Sequence, residues 1–64
     1  MAVAHVIAEH DVVSFRKPLR DWPAGTVGTV VGDYGEVVLV EVANERGEAL
    51  DFVQAPVAQL ELKR

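Results

Sequence analysis

The stretch Gly25-Thr26-Val27-Gly28-Thr29-Val30-Val31-Gly32 constrains this chain more than any other. It starts and stops on glycine and carries β-branched residues at nearly every other position. Such residues pack well on a pleated surface and are restricted in a helix. Val27, Thr29 and Val31 share one face of the expected strand, and Thr26, Gly28 and Val30 share the other. Gly28 inside a strand marks a bend, a bulge or the close approach of another backbone.

The segments around this strand repeat its character. Asp11–Arg16 alternates with Val13 and Phe15 on the face expected to point inward. The next stretch, Lys17–Gly25, is a loop, because Pro18 and Pro23 lack the amide hydrogen of a central ladder. Asp33-Tyr34-Gly35 turns the chain into Glu36–Val42, the clearest strand, with Val38, Val40 and Val42 on one face. Ala43–Gly47 reads as a hairpin turn in which Asn44 and Gly47 suit left-handed geometry. Glu48–Val53 pairs back, with Leu50 and Phe52 expected inward. Gln54–Ala58 is expected to break that strand and to hold one tight helical turn begun by Pro56. Gln59–Leu62 closes the domain with Leu60 and Leu62 inward. Five short strands at this spacing predict an all-β fold, a small five-stranded SH3-like antiparallel barrel. Residues 1–10 read as a lead-in and residues 11–64 as the barrel.

A chain of 64 residues has room for one domain. Only roughly 60% of its unfolded surface can be buried, so the core is small. There is no cysteine to staple it, and cytoplasm is the expected compartment. No apolar run approaches the roughly 20 residues of a membrane span, and Met1–Ala8 lacks the basic start of a signal peptide. The net charge is −4, unevenly spread. Between Asp21 and Leu62 the only base is Arg46, against Asp21, Asp33, Glu36, Glu41, Glu45, Glu48, Asp51 and Glu61. An acidic face repels phosphate backbones and attracts a basic protein, so nucleic acid is not an expected partner.

Chemistry-bearing patterns are sparse. His5 and His10 point to opposite faces of a strand and are poorly spaced for a shared ion on a helix, so no metal site is expected. No base is tied by motif to Ser14. The glycines do not form a phosphate loop, which runs from strand to helix and ends in Lys-Ser or Lys-Thr. The reading therefore expects no catalytic residues, no cofactor, no small-molecule substrate and no membrane contact. Trp22, in the long loop beside Asp21, either covers an open end of the barrel or anchors a partner. Tyr34, at a turn, is the second aromatic candidate.

Asp11-Val12-Val13, a proline-containing loop, Gly25–Val31, Val40-Glu41-Val42, Gly47 and a closing Pro56 and Leu60 together resemble a small bacterial family of SH3-like barrels known only as a domain of unknown function. The resemblance covers about residues 6–62. The chain departs from the family's pattern in the Trp22 loop and at Val38-Leu39, where the family often has an aromatic. More distantly, the motif looks like the ribosome-associated barrel of translation factors and the barrel of nitrile hydratase β subunits. The resemblance implies a stand-alone barrel without known catalysis. Family members are often encoded beside toxin-like or nuclease-like proteins, which implies an antitoxin or immunity role.

Residues and resemblance together lead to the expectation of a non-catalytic protein-binding module masking a basic partner. The alternative is an accessory barrel docking on a larger enzyme complex. The expected partner surface comprises Trp22 and Asp21 with Asp33, Tyr34 and Glu36 of one turn or Glu45 and Glu48 of the hairpin. A partly open barrel also leaves edge backbone groups free, for pairing with a partner's strand or with a second copy as a homodimer.

Overall fold

The structure, a computed structural model, describes residues 7–63. Its strands are β1 (Val12–Phe15), β2 (Val27–Asp33), β3 (Val37–Ala43), β4 (Ala49–Pro56) and β5 (Leu60–Leu62), with one 3₁₀ turn at Val57–Gln59. They form one antiparallel sheet in the order β4-β3-β2-β1-β5. A β2-β3-β4 meander, a one-turn link and a last strand returning beside β1 make up the SH3-like layout read from the sequence.

The inner face is built mostly from valine. Val30 of β2 lies opposite Val40 of β3, which lies opposite Val53 of β4, and all three are fully buried. Val38 opposes Ala55, and Phe15 of β1 opposes Leu60 of β5. Val13, Phe15, Val38, Val42 and Leu60 are buried as expected, while Leu62 is half-buried against the same cluster. Gly28 belongs to this layer, paired with Val13. A Cβ there would collide with the Val40 side chain and sit 2.8 Å from the Glu41 carbonyl oxygen. The glycine therefore serves a close approach of β2 to β3. The bulge of β2 lies elsewhere, at Val31, which is left unpaired between the Val30–Val40 and Gly32–Leu39 pairs.

β4 departs from expectation. Leu50 and Phe52 were expected inward, yet they are 54% and 52% exposed, while Val53 and Ala55 are fully buried. The cause is register. Once Val38, Val40 and Val42 face inward, their partners Ala55, Val53 and Asp51 must do the same. Leu50 is the unpaired residue of a bulge, because adjacent Val42 and Ala43 pair with Asp51 and Ala49. The expected break at Gln54–Ala58 is also shorter. The strand continues through Pro56, whose missing N–H is tolerated at a sheet edge, and the turn holds only Val57–Gln59.

In the hairpin, Gly47 takes the left-handed conformation at φ 82° and Asn44 does not. Asn44 works through its side chain instead. Its Oδ1 accepts from the N–H groups of Arg46 and Glu48 at 2.9 and 3.0 Å, and its Nδ2 donates to Glu48 Oε1 at 2.8 Å. Of the lead-in, Ile7 packs on the core, and the His10 N–H donates to the Val30 carbonyl at 2.7 Å. His5 and the rest of the first six residues of the lead-in lie outside the described residues.

Candidate protein-binding surface

The long loop between β1 and β2 folds on itself. Leu19 and Trp22 exchange backbone hydrogen bonds of 2.9 and 2.8 Å, making a tight turn with Arg20 at φ 54°. Both Leu19 and Trp22 pack against the core. The loop closes where the Gly25 N–H donates to the Phe15 carbonyl and the Phe15 N–H to the Thr26 carbonyl. Pro23 helps from its carbonyl, which accepts the Thr26 hydroxyl at 2.7 Å.

This turn aims the half-buried indole at β4. Trp22 Nε1 donates to Asp51 Oδ2 at 2.9 Å, and the Phe52 N–H donates to Asp51 Oδ1 at 2.9 Å. The indole bond, above all, holds the Asp51 carboxyl below its ordinary value of 3.8. The Phe52 N–H and the charge of Arg20 act in the same direction, against a desolvation that raises it. Hydrogen bonds to a carboxylate favour its charged form. Of the two roles open to Trp22, this geometry fits a cover over one barrel end, with its polar atom already engaged.

The expected partner residues fall into two groups. Trp22, which follows Asp21 in the chain, meets the hairpin end of β4, where Glu45 and Glu48 lie. Asp33, Tyr34 and Glu36 sit at the other end of β3, whose seven residues span roughly 23 Å at about 3.3 Å per residue. One small footprint does not take in both groups. At the far turn the Gly35 N–H donates to Asp33 Oδ1 at 3.0 Å. Tyr34, 67% exposed, lies over the place a Gly32 side chain would fill. A mostly apolar cavity of about 370 Å³ also opens there, lined by Ile7, Gly35, Glu36, Pro56, Val57 and Ala58. Among the described residues that line it, Glu36 alone is titratable.

Sequence reasoning missed the outward apolar pair. Phe52 stands beside half-buried Glu41 in the ladder, and Leu50 projects from the bulge two residues after Glu48. Around them the same end of the barrel carries Glu41, Glu45, Glu48 and Asp51 against Arg20 and Arg46. The overlooked signal is the parity of Val53 and Ala55, which places Phe52 outside if those two are inside.

Among the described residues no group of three or more His, Cys, Asp or Glu side chains is placed to hold a metal ion. No helix among them is long and apolar enough to cross a membrane. Compared with known proteins, the chain matches no family profile, no characterised protein and no solved structure.

Proposed function

We propose that this chain is a non-catalytic protein-binding module of the cytoplasm that masks a basic partner, in the manner of an antitoxin or immunity protein. The observation that carries the reading is the exposed pair Leu50 and Phe52 beside the acidic hairpin end. An apolar centre with a charged rim is the anatomy of a specific protein interface. Phe52 supplies a large desolvated anchor. The carboxylates of Asp21, Glu41, Glu45 and Glu48 steer a basic partner and speed its encounter. Trp22 takes a supporting part, fixing Asp51 and the start of β4 rather than contacting the partner.

The experiment is a comparative capture. Tagged parent and the Leu50→Ser, Phe52→Ser double variant are used as baits in extract, with quantitative mass spectrometry, and the captured protein is then titrated by calorimetry. The expected result is a basic protein retained by the parent and lost by the variant. Truncating one hot-spot side chain costs about 2 kcal/mol or more, roughly thirtyfold in Kd. Equal binding by parent and variant overturns the surface. Capture of a large enzyme's subunit instead makes the chain an assembly barrel.

A further inference from the structure

The two edges of the sheet are finished differently. β5 is three residues long and carries exposed Glu61. Its Leu60 carbonyl is taken by Arg16 Nε–H at 2.9 Å. Short length, charge and capping are how natural sheets protect an edge. β4 is eight residues long and, among the described residues, has little of this protection. Its outward side chains are Leu50, Phe52, Gln54 and Pro56, none of them charged, and its one charged residue, Asp51, is turned to Trp22.

The direction of the free backbone groups follows from three observations. The Phe52 N–H donates to the neighbouring Asp51 side chain. Pro56 has no N–H. The Val57 N–H donates toward β3, to the Glu36 carbonyl, at 2.8 Å. Antiparallel alternation then turns residues 51, 53 and 55 toward β3 and leaves Phe52 and Gln54 facing outward.

We propose that β4 pairs antiparallel with β4 of a second copy, across a two-fold axis at Val53, to form a homodimer with a continuous sheet. Phe52 of each copy then lies opposite Gln54 of the other, and the two pairs exchange four backbone hydrogen bonds. The Phe52 N–H leaves the Asp51 carboxylate for the Gln54 carbonyl of the second copy. Leu50 of each copy comes to lie beside Pro56 of the other, on the same outer face as Phe52.

The uncharged, self-matching row of β4 makes a second copy the fitting occupant. When β4 pairs with its own image, Leu50 and Phe52 meet only the uncharged side chains Pro56 and Gln54. Each copy carries −4, but the nearest acid in the Phe52 row, Glu41, stands one strand behind the seam. No like charges then face each other across it, an arrangement that would be destabilising. The contact is a line of few residues, below the about 1,200 Å² of a standard interface, so the dimer is weak and reversible. The inference does not rest on the partner proposed above; a dimer and that partner would compete for Phe52.

Analytical ultracentrifugation of the protein from micromolar to millimolar concentration is the test, at low and high salt. The expected result is a fast monomer–dimer equilibrium whose dimer fraction rises with salt, because salt screens the repulsion of two acidic copies. The Gln54 amide should exchange more slowly as concentration rises. Phe52→Lys and Gln54→Pro should each keep a β-type circular dichroism spectrum and stay monomeric, while Glu61→Lys on β5 still dimerises. If Gln54→Pro does not fold, Phe52→Lys decides. A monomer at every concentration, a dimer that survives the folded β4 variants, or one lost in Glu61→Lys overturns the proposal.

Discussion

Trp22 and Asp51 join segments 29 residues apart through one hydrogen bond, and that bond sets a pH dependence. The Asp51 pKa is depressed in the folded chain, so below its ordinary value the unfolded state binds more protons and stability rises with pH. Stability from this group is complete above the ordinary value of 3.8 and is lost as pH falls from there through the lower folded value. Trp22 fluorescence should report the event directly, with a midpoint below the ordinary aspartate value that disappears in Asp51→Asn. A midpoint at the ordinary value would mean the indole bond is absent in solution. Gly28 makes a second prediction at this scale. Gly28→Ala forces a methyl group against Val40 and the Glu41 carbonyl, and overpacking of this kind costs typically 1–3 kcal/mol, measured by urea denaturation. An unchanged midpoint would show that β2 and β3 stand farther apart.

The strands differed in how plainly the sequence declared them. β3 was legible because Val38, Val40 and Val42 alternate with residues of mixed character, and β1 because Phe15 is large and follows Val13 by two. β4 misled because size and parity disagree within it. Leu50 and Phe52 are bulkier than Val53 and Ala55, but the bulge at Leu50 and the partners on β3 decide which pair enters the core. Bulges depend on the neighbouring strand, so local alternation does not announce them. Trp22 was legible as important, with a cover over the barrel end and a partner anchor both open, but its hydrogen bond to Asp51 was not, since Asp51 is distant in sequence and reads as a surface acid in a strand. The hairpin was found from Gly47, while the part of Asn44 emerged only from its side-chain bonds. Asn44→Ala should lower stability by about 1–2 kcal/mol, the range of net hydrogen-bond contributions summed over an exposed turn. A thermal melt identical to the parent's would mean that Gly47 alone holds the turn.

At the scale of the whole molecule, the proposal of a protein partner rather than nucleic acid rests on charge and apolar exposure. With one arginine against eight carboxylates between Asp21 and Leu62, no continuous basic track exists there. The chain should show no specific binding to DNA or RNA oligonucleotides at physiological salt. Tight binding that weakens steeply with salt would be the signature of phosphate neutralisation and would contradict this. The acidity was legible from composition; the surface proposed to use it was not, because it depends on which side of β4 faces water. Both the proposed partner surface and the proposed dimer rest on that orientation. The thermal melts of Phe52→Asp and Val53→Asp, recorded side by side on dilute protein, test it most directly. Phe52→Asp should stay folded, with a melting temperature near the parent's, because its carboxylate remains in water. Val53→Asp, at a position 0% exposed, should be unfolded, because it buries an unpaired charge. A folded Val53→Asp beside an unfolded Phe52→Asp would turn β4 over and contradict both proposals.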